Sequence, residues 1–134
     1  MSTCTVLFNV GEFDISYDSQ YDRIKFKYLD SWIPFSVHSF MLFLNTLSFK
    51  FLESHDELSL TIRQFPSSIE LFRLKGNYII MFISATHPSR MVISATSIKL
   101  LTTPMLMEKV KGLQKGENLH LPGEYDRLSE RSYF

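Results

Sequence analysis

The segment from Ser36 to Leu52 constrains the fold of this chain more than any other part of the sequence. If the segment is a helix with about 100° between residues, apolar side chains cover about half of its circumference. These side chains are Val37, Phe40, Met41, Phe43, Leu44, Leu47, Phe51 and Leu52. An apolar face of this width has to pack against another layer of structure, so the segment predicts a core helix.

Two large apolar residues, Leu42 and Phe49, lie on the opposite side of that helix, about two turns apart along its axis. One interpretation buries both of them beneath the C-terminal tail or in a second layer. The other makes them part of an exposed recognition face, together with His38 and Asn45 on adjoining turns. His38, Leu42, Asn45 and Phe49 are therefore candidate partner-binding residues.

The end of this segment has a second interpretation. Residues 47–51 alternate apolar and polar side chains, which is also the pattern of a strand. In that case the helix ends near Asn45, and the new strand pairs with the strand that follows it. The apolar spacing of the helix runs unbroken to Leu52 and favours the longer helix.

The N-terminal third predicts an antiparallel hairpin. Residues 13–17 and 24–28 each alternate apolar with polar or charged side chains, as half-buried strands do. A turn around Ser19-Gln20 places Phe13 opposite Phe26 and also pairs carboxylates with ammonium groups on the other face. A register slip of one residue would break both patterns.

The charged face of this hairpin supplies three further candidate residues. Glu12, Asp14 and Asp18 lie there. The basic residues Arg23, Lys25 and Lys27 lie beside them. Such a face is most often only solvated, and its other interpretation is electrostatic steering of a partner. We include Glu12, Asp14 and Asp18 among the candidate partner-binding residues.

The remainder of the chain predicts more strands and a second helix. The strands are predicted at residues 57–65, 69–74, 78–84 and 91–101. Residues 78–83 are apolar at every position, which predicts a central strand that is covered on both faces. Thr103 and Pro104 begin a helix that ends near Gly112 or Gly116. No internal repeat is visible.

This order of elements predicts an α+β fold in which a curved antiparallel sheet packs on a central helix, with a second helix near the C-terminus. Residues 1–115 are expected to form a single domain, and residues 116–134 a polar C-terminal extension.

Composition argues against several kinds of chemistry. The chain has 14 Lys and Arg residues against 14 Asp and Glu residues, and this balance disfavours nucleic-acid binding. The four His residues are isolated, the Gly residues are never clustered, and Cys4 is the only cysteine and is expected to be buried. We therefore expect neither catalysis nor a cofactor nor a bound metal. A single cysteine and the polar residues that interrupt the apolar segment favour a cytoplasmic protein without a membrane span.

Residues 21–32, which read YDRIKFKYLDSW, precede the predicted helix and the strand 58–62, which reads LSLTI. This arrangement resembles bacterial immunity proteins of contact-dependent growth inhibition, in which a Trp separates a charged strand from a helix in a Whirly-like order. The resemblance implies a protein that binds and blocks a toxin domain. The chain lacks the strongly acidic character common among inhibitors of nucleases, so the resemblance identifies neither a target nor a binding residue.

These observations favour a non-catalytic protein-binding module of the immunity or inhibitor type, which covers the active site of a toxin-like partner. One alternative is a homodimer that binds single-stranded nucleic acid and stacks bases on Tyr17, Tyr28, Phe72 or Tyr78. The periodicity of Tyr17 and Tyr28 favours the core for those two residues. A small enzyme of unknown chemistry is the other alternative.

Overall fold

The described part of the chain folds into two antiparallel sheets of four strands each, together with three helices, so the predicted α+β class is confirmed. The computed structural model describes residues 4–48, 59–64 and 66–120, and the side chains of these residues as far as Leu113. No helix in these ranges is both long enough and apolar enough to cross a membrane.

Sheet A comes first and is a meander in which each strand pairs with the next one along the chain. Its strands are β1 Cys4–Val10, β2 Phe13–Asp18, β3 Arg23–Tyr28 and β4 Ser31–Ser36. Sheet B has the same layout. Its strands are β5 Ser59–Gln64, β6 Ser67–Leu74, β7 Asn77–Ile83 and β8 Ser89–Ser94. The helices are α1 Val37–Thr46, α2 Ala95–Ile98 and α3 Pro104–His120, with a 3₁₀ turn at Lys99–Thr102.

The two halves of the chain share one order of elements, a structural repeat that is not accompanied by a visible repeat in the sequence. In each half a four-stranded meander is followed directly by a helix with a serine N-cap. Ser36 accepts a hydrogen bond from the backbone N–H of Ser39 at 3.0 Å, and Ser94 accepts one from Ser97 at 3.2 Å. Few side chains other than these serines are shared, which is why the repeat is difficult to see in the sequence.

The predicted hairpin forms, but its register differs from the prediction by two residues. Phe13 lies opposite Tyr28, and Ile15 lies opposite Phe26. The loop is longer than predicted and spans residues 19–22, with Asp22 in the left-handed region at φ 53°. A shift of two residues leaves every side chain on its predicted face, because side chains alternate with a period of two.

The strand β4 is not among the strands that the sequence predicts. Pro34 lies in the middle of this strand, opposite Lys25 of β3. Proline cannot donate a hydrogen bond to a neighbouring strand and is therefore tolerated at the edge of a sheet, where β4 lies.

The predicted strands 69–74 and 78–84 pair with each other as β6 and β7. Lys75 and Gly76 form a two-residue turn, with φ of 52° and 80°, between paired Leu74 and Asn77. Two positive φ values are typical of a type I′ turn, which matches the twist of the strands that it joins.

The helix α1 is a core helix, as predicted, but it ends at Thr46 with Leu47 as its C-cap. This is closer to the shorter of the two predicted helices. Leu47 has helical backbone angles and a fully buried side chain, so it does not begin a strand. Residues 49–52 lie outside the described residues.

The end of the predicted strand 91–101 is helical. β8 stops at Ser94, whose side chain caps α2, and the 3₁₀ turn follows. α3 begins at Pro104 as predicted but continues through Gly112 and Gly116 to His120. The Thr103 hydroxyl is buried and has no hydrogen-bond partner among the described residues, so the expected capping hydrogen bond is not made. Residues 121–134 of the predicted extension lie outside the described residues.

Both sheets and the helices share one hydrophobic core, with α1 at its centre. α1 contacts β3, β4, β5 and α3. Phe26, Phe35, Phe40 and Phe43 are fully buried and pack with ring centroids 5.1 to 5.9 Å apart. The core therefore occupies the inner faces of the sheets and leaves their outer faces available.

One side chain of sheet B completes the edge of sheet A. Gln64 at the end of β5 donates from Nε2 to the carbonyl oxygen of Pro34 at 2.6 Å, and its Oε1 accepts the N–H of Ser36 at 3.0 Å. The amide thus takes the place of a neighbouring strand beside β4 and fixes the two sheets to each other.

Candidate functional site

The outer face of sheet B, which is turned away from the core, carries a row of apolar side chains. A row of paired residues, Phe72, Ile79 and Val92, crosses β6, β7 and β8. Leu74, Ile83 and Val92 are exposed, with 41, 45 and 45% of their surface accessible. A contiguous set of exposed apolar side chains on a sheet is typical of an interaction surface.

This face also forms an open groove of about 580 Å³. Its lining residues come from all four strands and are Ser59, Phe72, Arg73, Leu74, Ile79, Met81 and Arg90. A groove on regular strands is held in place by the hydrogen bonds of the sheet. It can therefore bind a partner without first being ordered, which favours affinity.

The same row on sheet A has a different character. Pro34 and Val92 each lie two residues before the capping serine of their half, so they occupy equivalent positions. In sheet A, Pro34 pairs with Lys25 and Lys25 with Ser16, where sheet B has Val92, Ile79 and Phe72. The fold therefore does not require apolar residues at these positions.

The next row gives the same result. In sheet A it reads Asp14, Lys27 and Trp32. In sheet B it reads Glu70, Met81 and Arg90. In sheet A the basic residue of this row, Lys27, is at the centre. In sheet B the basic residue, Arg90, is at the edge, and the apolar Met81 is at the centre.

Two arginines lie near the apolar row. Arg63 and Arg90 are exposed on the outer face, at the edge strands β5 and β8. Arg73 is paired with the buried Tyr78 on the other face of the sheet, with its guanidinium 5.7 Å from the centre of the Tyr78 ring. Among the described residues of this face, Glu70 is the only carboxylate.

The candidate residues predicted on α1 are exposed. His38 and Asn45 lie on the solvent side of the helix with Leu42, which is 43% exposed. Among the described residues nothing buries Leu42, in contrast to the interpretation that placed it in a second layer. Phe49 lies outside the described residues.

The acidic candidates lie elsewhere on the molecule. Asp14 and Asp18 project from the outer face of sheet A, and Glu12 is exposed in the β1–β2 turn. The Asp18 carboxylate accepts the N–H of Gln20 at 2.9 Å and so stabilises the β2–β3 loop. Because α1 packs on the inner side of sheet A, its exposed face and this outer face point away from each other. The predicted residues do not form one surface.

Trp32, on which the family resemblance depends, is engaged within the chain. Its ring lies 4.3 Å from the His87 ring, and the Lys25 Nζ lies 4.9 Å from its centre. Cation–π contacts of this kind stabilise the partly buried ring where it stands. Trp32 therefore links sheet A to the β7–β8 loop of sheet B.

A second group of exposed apolar side chains lies where β1 meets the 3₁₀ turn and α3. Val6, Val10, Leu100 and Met105 line a groove of about 300 Å³ there. The Lys109 ammonium donates to the carbonyl oxygen of Leu7 at 3.0 Å, so part of the β1 edge already has a partner. This groove is smaller than that of sheet B.

Chemistry-bearing residues do not cluster. Among the described residues, no three His, Cys, Asp or Glu side chains are close enough together to hold a metal ion. Cys4 is exposed at the start of β1, so the expectation that it is buried is wrong. The nucleic-acid alternative loses Tyr78 as a base-stacking residue, because that side chain is buried in the core. Tyr17 and Tyr28 pack against the core, as their periodicity indicates.

Comparison with known proteins gives no relative: no protein-family model, curated protein or solved structure matches this chain.

Sequence reasoning did not find the outer face of sheet B, although the signal was present. Residues 78–83 are apolar at every position, and this was interpreted as burial on both faces. β7 is central in its sheet, as predicted, but Ile79 and Met81 are only half-buried and Ile83 is exposed. The second apolar face of β7 is therefore a surface and not a second core.

Proposed function

We propose that this chain is a non-catalytic protein-binding module that binds its partner with the outer face of sheet B. The observation that carries the proposal is the contrast between equivalent rows, with Phe72, Ile79 and Val92 standing where the duplicate sheet has Ser16, Lys25 and Pro34. The fold does not require apolar side chains at these positions, and exposed apolar side chains lower solubility. Binding to a partner explains why Phe72, Ile79 and Val92 are present.

The free energy gained by burying the exposed apolar side chains of this face is large enough to support specific binding. Full burial of a Val, Leu or Ile side chain contributes roughly 1.5–3 kcal/mol. Leu74, Ile83 and Val92 are each close to half exposed, so a partner that covers them gains about half of that amount from each. The arginines at the border add contacts of a residue type that is enriched at interfaces.

The partner that we propose is a toxin-like protein, which this chain neutralises by covering its active site. The immunity-protein resemblance of residues 21–32 and 58–62 supports this partner class. A preformed sheet face is suited to the task, because it can cover a cleft while losing little conformational entropy.

The test is co-expression of this chain with each polypeptide encoded by the neighbouring reading frames. We expect one of them to arrest growth when expressed alone, and to co-purify with this chain and lose its toxicity when the two are expressed together. Val92→Lys and Phe72→Ser should abolish both protection and co-purification while the protein remains folded by circular dichroism.

Val6→Lys is the matched control, because Val6 is also an exposed valine on an edge strand. It should protect as well as the unchanged chain. Failure of every neighbouring product to bind contradicts the inhibitor function. Loss of binding in Val6→Lys but not in Val92→Lys would move the surface to the groove between β1 and α3.

A further inference from the structure

We infer that the outer face of sheet B binds an acidic protein surface, in which an apolar patch is bordered by carboxylates. The inference rests on the proposed function and adds the chemistry of the partner. It follows from the charges around the groove, from the side chains within it, and from the comparison with sheet A.

The charges of the described residues around the groove are mostly basic. Arg63 and Arg90 are exposed on the edge strands, and Lys75 is exposed in the adjoining turn. Glu70 is the one carboxylate among the described residues of the face. A partner that covered this face with basic groups would place like charges together in a region from which water is partly excluded, which is unfavourable.

Arginine also selects the kind of group that binds. Its guanidinium presents a planar fork of N–H donors that matches the two oxygens of a carboxylate. Arg63 and Arg90 lie on the two edge strands of sheet B, and both lie on the same side of the row formed by Phe72, Ile79 and Val92. We therefore place the partner's carboxylates on that side of the apolar patch that contacts Ile79 and Val92.

A second copy of this chain is a poor occupant of the face. Two sheet B faces packed against each other would bring together two surfaces whose described residues include Arg63 and Arg90 and only one carboxylate, Glu70. An isologous dimer places the same surface patch on both sides of the interface, so Arg63 and Arg90 of each copy would approach a basic surface.

Nucleic acid would satisfy the arginines but not the apolar side chains. Platforms that bind single strands stack successive bases on aromatic rings. Phe72 is the one aromatic side chain among the described residues of this face, and Leu74, Ile79, Met81, Ile83 and Val92 are aliphatic or thioether side chains. Methionine and arginine around an apolar centre are typical of protein interfaces.

The test uses a library of random dodecapeptides displayed on phage and selected on the folded full-length protein. A parallel selection on the double variant Phe72→Ser/Val92→Lys identifies peptides that depend on the face. We expect face-dependent peptides in which Asp or Glu flanks large apolar residues. Face-dependent peptides that are neutral or basic would overturn the inference and leave the proposed surface intact. Absence of any face-dependent peptide would contradict the surface itself.

Charge reversal then tests the arginines with one enriched acidic peptide as the probe. Arg90→Glu should weaken its binding by about tenfold or more, and replacing Glu by Lys in the peptide should restore much of the affinity. Arg23→Glu is the matched control, because it makes the same change on the outer face of sheet A. Equal losses in both variants would show that only net charge matters and would overturn the inference.

Two further measurements test whether the outer face of sheet B binds a second copy of this chain or nucleic acid instead. Sedimentation of the protein alone should give a monomer, and a dimer that Val92→Lys dissociates would assign the face to a second copy. A fluorescent oligothymidylate should not bind to the face. Salt-sensitive binding that Phe72→Ser abolishes would assign the face to nucleic acid.

Discussion

The two sheets of this protein have the same strand order, the same connections and the same kind of serine cap, yet their outer faces differ. The outer face of sheet A has Ser16, Lys25 and Pro34 in one row, and that of sheet B has the apolar Phe72, Ile79 and Val92 in the equivalent row, with arginines on its edge strands. Equivalent positions show what the fold tolerates. Because Ser16, Lys25 and Pro34 are compatible with the fold in sheet A, Phe72, Ile79 and Val92 are better explained by binding than by folding.

The inner faces of the two sheets are alike, because both are buried in the shared core. Substitutions there should lower the unfolding free energy more than any others discussed below. Phe26 of β3 and Ile80 of β7 are each fully buried in the shared core, on the central strands of their sheets. Truncation to alanine should cost about 3–5 kcal/mol for Phe26 and about 2–5 kcal/mol for Ile80. Urea unfolding would measure both losses. A cost below about 1 kcal/mol for either residue would show that the two halves do not share one core.

The link between the sheets is expected to have the next largest effect. Gln64→Leu removes the hydrogen bonds to the Pro34 carbonyl and the Ser36 N–H and leaves two partly buried backbone groups without these partners. The unfolding free energy should fall by about 1–3 kcal/mol. Gln20→Leu, in the exposed β2–β3 loop, is the control and should change it by less than about 0.5 kcal/mol. Equal effects would mean that Gln64 does not join the sheets.

The two serine caps sharpen the comparison between the halves. Ser36→Ala removes the cap of the ten-residue helix α1 and should cost about 1 kcal/mol. Ser94→Ala acts on the four-residue helix α2 at an exposed site and should cost less. Thermal unfolding of both variants would rank them. A larger loss for Ser94→Ala would contradict the view that α1 is the central helix of the fold.

The sequence predicted features that depend on local periodicity. The alternation of residues 13–17 and 24–28 located the first hairpin and the faces of its strands, and the apolar spacing after Ser36 located the core helix. The hairpin register was wrong by two residues because the alternation is identical after such a shift, and only the four-residue loop distinguishes the two registers.

Features that depend on tertiary context could not be predicted. β4 was missed because Pro34 is unfavourable in most strands and is tolerated here only at a sheet edge. The common order of elements in the two halves could not be predicted because the halves share a strand and helix order and not their side chains. The apolar face of sheet B was mistaken for a second buried layer because periodicity alone cannot distinguish a surface that awaits a partner from one that is already covered.

The most direct test of the central claim is the dissociation constant of the complex with the toxin-like partner, measured for Val92→Lys and for Val6→Lys. Both valines are exposed on edge strands, so both variants should keep the unfolding free energy within about 0.5 kcal/mol of the unchanged protein. We predict that Val92→Lys weakens the complex by about tenfold or more, whereas Val6→Lys leaves it unchanged. Unchanged binding in Val92→Lys would contradict the assignment of the outer face of sheet B as the binding surface.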